Sequence, residues 1–268
     1  MAYYRLKKGY DIRIAGEAEK HLERAPFPEA VGLCAADFYG MTPKPLVEGG
    51  ERVKVGTPLW RDRRRESLVV TSPASGTVAE VRRGERRALE AVIIRTDGKQ
   101  HSANLPAPPK RIGPPARDSI IAALCATGLF PFIRQRPFGT VADPLVQPRD
   151  IFVTAMDTSP LAPDQGLIVR DHEREFQRGI DVLAALTTGK VHLCVDGKPK
   201  ESSFLADITN AEIHHFEGPH PAGNVGMHIH HVAPVNGVND VVWHCTAQGV
   251  ILIGRYFITG APSFEVTV

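Results

Sequence analysis

Apolar positions in the first hundred residues come in short runs without a helical period. Residues 53–55, 68–70, 77–81 and 91–94 are rich in β-branched side chains, and Gly and Pro separate them. That is the grammar of strands joined by tight turns. Five prolines then fall within residues 105–115, at Pro106, Pro108, Pro109, Pro114 and Pro115. Proline fixes φ and stiffens the chain, so this stretch reads as a semi-rigid spacer between two bodies.

Beyond the spacer the pattern changes. Ile120, Ile121, Leu124 and Cys125 share a face, which predicts a short helix capped by Asp118 or Ser119 and stopped at Gly128. Residues 151–153 and 191–195 are continuously apolar, as buried parallel strands are, and 213–216 is a candidate third strand. Between the first two, Phe176, Ile180 and Leu183 at i, i+4, i+7 predict a helix over 172–186, with Gly189 as its stop. Strand, helix, strand with short joins implies a parallel sheet with right-handed crossovers. Residues 241–246 and 250–258 read as a terminal β-hairpin turning at Ala247-Gln248-Gly249. The resulting division is a β domain over 1–105, a linker over 106–117, a Rossmann-like α/β domain over 118–240 and terminal strands over 241–268. The fold class is multidomain α+β and α/β.

Composition changes this picture little: 43% hydrophobic and 23% charged, with a net charge of +2 that gives no argument for nucleic acid. No apolar run is long enough to span a bilayer, and no secretory-type apolar stretch follows the early basic residues, so the expected location is cytoplasmic. The four cysteines lie far apart among apolar neighbours and read as buried reduced thiols. Charge is uneven, however. Residues 51–95 carry 11 Lys/Arg against 6 Asp/Glu, and Arg61, Arg63, Arg64 and Arg65 are nearly contiguous. These arginines are either a solvated hairpin edge or a docking patch for an acidic partner or anionic membrane.

Four constellations invite a chemical reading. Gly50, Gly56 and the turn P-A-S-G-T-V at 73–78 look like a biotinyl/lipoyl-type β-sandwich, whose carrier lysine stands on a hairpin. Residues 60–70 between the two motifs contain no lysine, so the domain reads as structural or as a docking surface. No glycine-rich phosphate loop of the G-x-G-x-x-G or P-loop kind occurs. The run G-L-F-P-F-I-R-Q-R-P-F at 128–138 instead sets Arg134 and Arg136 among aromatics, where they can hold an anion or a quinone ring, or form an interface strip. Six of the eleven histidines fall within residues 214–231. Read as a strand, His228 and His230 share a face, but no Cys or Asp stands at a familiar offset, and no metal is expected. Asp157 follows a buried strand, either at a ligand position or as a plain turn residue.

In order along the chain, K-K-G-Y-D-I-R-I-A-G at 7–16, P-A-S-G-T-V at 73–78, R-Q-R-P-F at 134–138, A-M-D-T-S-P-L-A-P-D at 155–164, G-P-H-P-A-G-N-V-G-M-H-I-H at 218–230 and V-I-L-I-G-R-Y-F-I-T-G at 250–260 resemble one family. It is the A subunits of bacterial Na+-translocating NADH:quinone oxidoreductases. The resemblance implies a peripheral, non-catalytic subunit on the cytoplasmic face of the inner membrane. Its partners would be the membrane-embedded subunits of a complex that uses NADH, flavins and ubiquinone and pumps Na+. It is also similar to the flavin-carrying, NADH-binding subunit of complex I and the C subunit of Rnf-type complexes. Those have a glycine-rich flavin loop that 128–138 lacks, so no cofactor is expected on this chain. The family continues past Val268, which implies a short homologue or a truncated form. If ubiquinone touches this chain, Arg134, Arg136, Phe138, His220 and His228 are the candidates, because arginine and histidine can hydrogen-bond quinone oxygens and an aromatic can stack on the ring. The rival readings are a free-standing nucleotide-dependent oxidoreductase and a metal-binding protein using the histidine run.

Overall fold

A computed structural model describes residues 2–16, 19–197, 207–237 and 239–268. β1 (Ala2–Arg5) opens the chain but belongs to its second body. β2 (Ala30–Cys34), β3 (Pro43–Pro45), β4 (Arg52–Val53), β5 (Pro58–Asp62), β6 (Val69–Thr71), β7 (Gly76–Arg83) and β8 (Leu89–Thr96) form two antiparallel sheets. Their orders are β2-β8-β7-β4 and β3-β5-β6. Val53, Leu59, Trp60, Val70, Val78 and Ile94 fill the space between them. Phe38 stands edge-on to Trp60 with ring centres 5.4 Å apart. Each β-branched run of the first hundred residues lies in or beside one of these strands.

The proline spacer packs against the second body, where the Tyr256 hydroxyl donates to the Pro106 carbonyl at 2.8 Å. It ends in a 3-10 turn, Pro114–Ala116, that leads into α1 (Arg117–Thr127). Ala116, rather than Asp118 or Ser119, stands at the N-cap. Two prolines preset the incoming turn, Asp118 lies in the first helical turn, and Ser119 donates back to the Ala116 carbonyl. Gly128 closes the helix in the left-handed region at φ 73°.

The second body is built from β9 (Arg134–Arg136), β10 (Thr140–Val141), β11 (Asp150–Ala155), α2 (Gln165–Arg170), α3 (Glu173–Ala184), β12 (Val191–Asp196), β13 (Glu212–Glu217), α4 (Val225–Val232), β14 (Val242–Thr246) and α5 (Ala247–Thr259). The sheet order is β1-β13-β12-β11-β14-β9-β10. The first five strands are parallel, and β9 with β10 adds an antiparallel edge. Ile151, Val153, Leu193 and Trp243 point to the face covered by α3 and α5. Phe152, Cys194, Phe216 and Val242 point to the other, with Ile229 of α4.

Of the four cysteines expected to be buried, Cys34 is exposed, as the last residue of an outer strand. Four further expectations need correction. Residues 250–258 are not the second strand of a hairpin but most of α5, and only Val242–Thr246 of the terminal segment is a strand. The run is buried on nearly every side, so it shows neither period, and length and caps decide: the Thr246 hydroxyl accepts from the Gly249 N–H, and Gly260 ends the helix at φ 78°. Residues 228–230 are helical, not extended, so His228 faces the core while His230 faces solvent. β1 leaves the N-terminal β body and pairs in parallel with β13, a long-range pairing with no local signal. Gly189 does not stop α3, which ends at Ala184; a Cβ at Gly189 would instead strike the Arg149 carbonyl.

Helices α3 and α5 cross with their backbones in contact. A Cβ on Gly254 would collide with the Glu175 carbonyl, and one on Gly179 with the Val250 carbonyl. Backbone cannot yield as a side-chain tip can, so Gly254→Ala is expected to lower stability by about 3 kcal/mol. An unchanged urea midpoint for that variant would contradict the crossing.

Candidate functional site

The parallel order reverses beside β11. The chain passes from β11 to β12 and outward to β13, and α4 then returns it to β14 on the opposite flank of β11. In open α/β sheets such a switch point, at the carboxyl ends of the strands, is where ligands bind. Thr154 on β11 and His244 on β14 flank it, diagonal neighbours on the α4 face, because His244 pairs with Phe152 and Thr154 with Thr246. Thr154 Oγ1 and His244 Nε2 are both buried without a hydrogen-bond partner. Burial, reinforced by the charges of Arg136 and Arg134, pushes the His244 pKa down to about 4. His244 is therefore neutral at pH 7 and can donate or accept.

The β9 arginines border this point. Arg134 pairs with His244 and Arg136 with Val242 across the antiparallel edge, which puts both side chains on the same face as His244. The Arg134 guanidinium is committed, donating to the Asp37 carbonyl of the β body. Arg136 reaches the first turn of α4, since a Cβ on Gly226 would lie 3.6 Å from its Nη2. Phe138 stands beyond β9 with 71% of its surface exposed.

The two candidate histidines lie apart from that pair. His220 is a fastener. Its backbone N–H donates to Asp11 Oδ1 at 2.8 Å, and its carbonyl accepts from the Tyr10 N–H at 2.9 Å. Its Nδ1 lies 3.1 Å from Thr158 Oγ1, which also accepts from the Gly223 N–H. The Thr158 proton is thus free to go to the imidazole, and the 218–223 loop is tied to both the N-terminal strap and the loop after β11. His228 is fully buried against Phe216, with ring centres 4.4 Å apart, and Nε2 donates to the Ala222 carbonyl. It is a core group that no quinone reaches without repacking. Asp157 takes the plain reading: its Oδ1 accepts from the Ser159 N–H within a turn. Sequence reading missed His244 and Thr154, because each becomes notable only beside the other at the switch point.

The basic run at 61–65 divides. Arg63 and Arg64 are exposed. Arg61 pairs with Glu66 at 3.3 Å. Arg65, by contrast, ties the two bodies together and is not free for docking. Its Nε donates to the fully buried Asp62 at 2.8 Å, and its other nitrogens reach the carbonyls of Val141, Ala142 and Gly40. Burial alone would raise the Asp62 pKa, but hydrogen bonds from the Thr42 and Arg64 amides and from Arg65 outweigh it and hold it below the usual range.

A barrel-like β sandwich packed on an open parallel sheet, with a polar switch point and no glycine in the loop after β11 at 156–164, defines a two-body α/β protein of the Rossmann-like class. Residues 4–97 match the NqrA N-terminal barrel-sandwich hybrid domain, and residues 116–262 match the NqrA second alpha/beta domain. The chain belongs to the NqrA family. It is 40% identical over 96% of its length to the A subunit of the Na(+)-translocating NADH-quinone reductase of Rhodopirellula baltica, covering 56% of that protein. It is 38% identical over 97% to the protein of the same name from Neisseria gonorrhoeae, covering 58% of it. The chain therefore spans little more than half the length of the curated relatives it matches. Among the described residues no helix is long and apolar enough to cross a membrane.

Removing one member of a buried ion pair strands the other. Arg65→Ala is thus expected to cost about 3 kcal/mol of stability, and Arg65→Lys to recover only part of it, because one ammonium cannot reach four acceptors. Chemical denaturation of the three proteins checks this; equal midpoints would remove Arg65 as a clamp.

Proposed function

We propose that this chain serves as the peripheral A-type subunit of a Na+-translocating NADH-quinone reductase, on the cytoplasmic face of the membrane. The observation that carries the reading is the near-complete coverage of the chain by relatives of that name. In this role the chain contributes no catalytic group. It would dock on membrane-embedded subunits through the β body, with Arg63 and Arg64 as the exposed charges offered to an acidic surface. Arg61, held by Glu66, would add its charge at the rim. The double variant Arg63→Glu/Arg64→Glu should release the protein from washed membranes at lower salt than the wild type. Retention at the wild-type salt concentration would remove the two arginines from docking.

The finer part of the proposal is a ubiquinone contact at the switch point. A quinone carbonyl needs donors in a largely apolar setting. Arg136 and neutral His244 offer N–H groups, and Thr154 an unpaired hydroxyl. Arg134 and Phe138 would line the rim, and His220 would fix the neighbouring loop rather than touch the ring. A hydrogen bond from a charged donor contributes about 1.5–3 kcal/mol, so Arg136→Ala should weaken binding of a short-chain ubiquinone at least tenfold. His244→Leu should weaken it by about tenfold. Equilibrium titration of the purified chain reads both, and wild-type affinity in both variants would place the quinone elsewhere.

A further inference from the structure

The quinone reading leaves one side-chain cluster unused. β12 and β13 pair with His192 opposite Glu212 and Cys194 opposite His214. His192, Glu212 and His214 therefore share one face of the sheet, near the amino ends of the strands and away from the switch point. His192 Nδ1 lies 3.0 Å from His214 Nε2 and 3.8 Å from Glu212 Oε2. One ligand-type atom from each residue lies within 4.8 Å of the other two. Both imidazoles are buried, and Glu212 is half exposed.

We propose that His192, Glu212 and His214 form a binding site for a divalent transition-metal ion of the zinc type, with a fourth position open on the solvent side of Glu212.

The geometry is close to what such an ion requires. At a metal–nitrogen distance of about 2.0–2.1 Å in a tetrahedral site, two ligand atoms stand about 3.3 Å apart. The two separations from His192, 3.0 and 3.8 Å, bracket that value, and the third, between His214 and Glu212, is within 4.8 Å, so side-chain adjustment of the half-exposed Glu212 would close the triangle. Two imidazoles, one carboxylate and an open position make up the donor set of hydrolytic zinc centres.

Proton placement points the same way. For both facing nitrogens to ligate, each ring must carry its proton on the far nitrogen. The far nitrogen of His192, Nε2, lies 3.7 Å from Asp150 Oδ1. A carboxylate behind a ligating imidazole is the usual orienting arrangement. Asp150 is itself fixed by Arg149 at 2.7 Å and by the Lys190 N–H at 3.0 Å. Without an ion the facing nitrogens must share one proton. Placing it on His192 turns a bare lone pair toward Asp150; placing it on His214 leaves Nδ1 of that ring a buried acceptor with no partner. An ion between the rings lets the Nε2 proton of His192 face Asp150, while His214 Nδ1 is without a partner in either state.

One group opposes the ion. The Lys190 ammonium pairs with Glu212 Oε1 and repels a cation placed beside it. Lys190 is exposed and can swing away, so it sets the affinity without blocking the site.

The test is calorimetric titration of the untagged, chelator-treated full chain with zinc, with visible absorption of a cobalt(II)-loaded sample as a second readout of tetrahedral geometry. One zinc per chain is expected. Glu212→Gln and His214→Gln should each weaken binding at least tenfold, and Lys190→Ala should tighten it severalfold. A His230→Ala/His231→Ala variant, which removes exposed histidines of α4, should bind as the wild type does. Circular dichroism checks that each variant is folded, and the half-exposed Glu212 keeps the test sound if His214→Gln unfolds. Absence of stoichiometric zinc, wild-type affinity in Glu212→Gln, or loss in the α4 variant would each overturn the site.

Discussion

A parallel sheet must be covered on both faces, because its central strands carry apolar side chains on both. Everything in the second body follows from how unequally that requirement is met. One face receives α3 and α5, pressed so close that glycines stand where the backbones cross. The other receives the short α4, the strap that ends in Tyr10 and Asp11, and a layer of aromatic rings and imidazoles: Phe152, Phe216, His192, His214 and His228. Histidines in such a layer must find partners or remain neutral, and burial keeps three of the sheet-face rings well below their ordinary pKa. Of the buried polar side-chain atoms left without partners in the second body, Thr154 Oγ1, His244 Nε2, His214 Nδ1 and His228 Nδ1 lie on this less densely covered side, and Trp243 Nε1 on the other.

The two bodies are joined by polar contacts as much as by apolar ones. Leu68 enters the core of the second body, but the Thr71 hydroxyl, donating to the Thr127 carbonyl at 3.0 Å, and the Arg65 fan fix the register between them. A guanidinium suits this place because its planar donors match several carbonyls at once. The consequence for docking is direct. A run of arginines that looks uniform in charge is spent partly inward, and only its exposed members can meet another protein.

Much of the fold was legible in the chain because local chemistry and tertiary demand agreed. The apolar runs at 151–153 and 191–195, the stripe of Phe176, Ile180 and Leu183, and Gly128 as a helix stop each specify one outcome. α5 was not legible, since a segment buried on all sides shows neither the period of a helix nor that of a strand. β1 was hidden because its partner strand lies more than two hundred residues away. The site was read unevenly for the same reason. Arg134 and Arg136 stand out locally, and the structure does place them beside the switch point. His244, Thr154 and His192 carry no local signal, because strand pairing alone brings them to their neighbours.

The histidine run shows why density along a chain is a poor guide to chemistry. Six histidines within residues 214–231 suggest one cluster, yet the fold sends them to separate tasks. His220 ties loops, His228 fills the core, His230 and His231 face water, and His214 turns to His192 on the neighbouring strand. A strand puts alternate residues on opposite faces, so His214 and His215 point apart, and α4 divides His228 from His230 in the same way. The only close donor set among the described residues therefore takes two of its three members from outside the run, and pairs an imidazole from one strand with a carboxylate from the next. Spacing in the sequence measures ligand sets well only where they lie on one helix or one loop; across a parallel sheet, register decides.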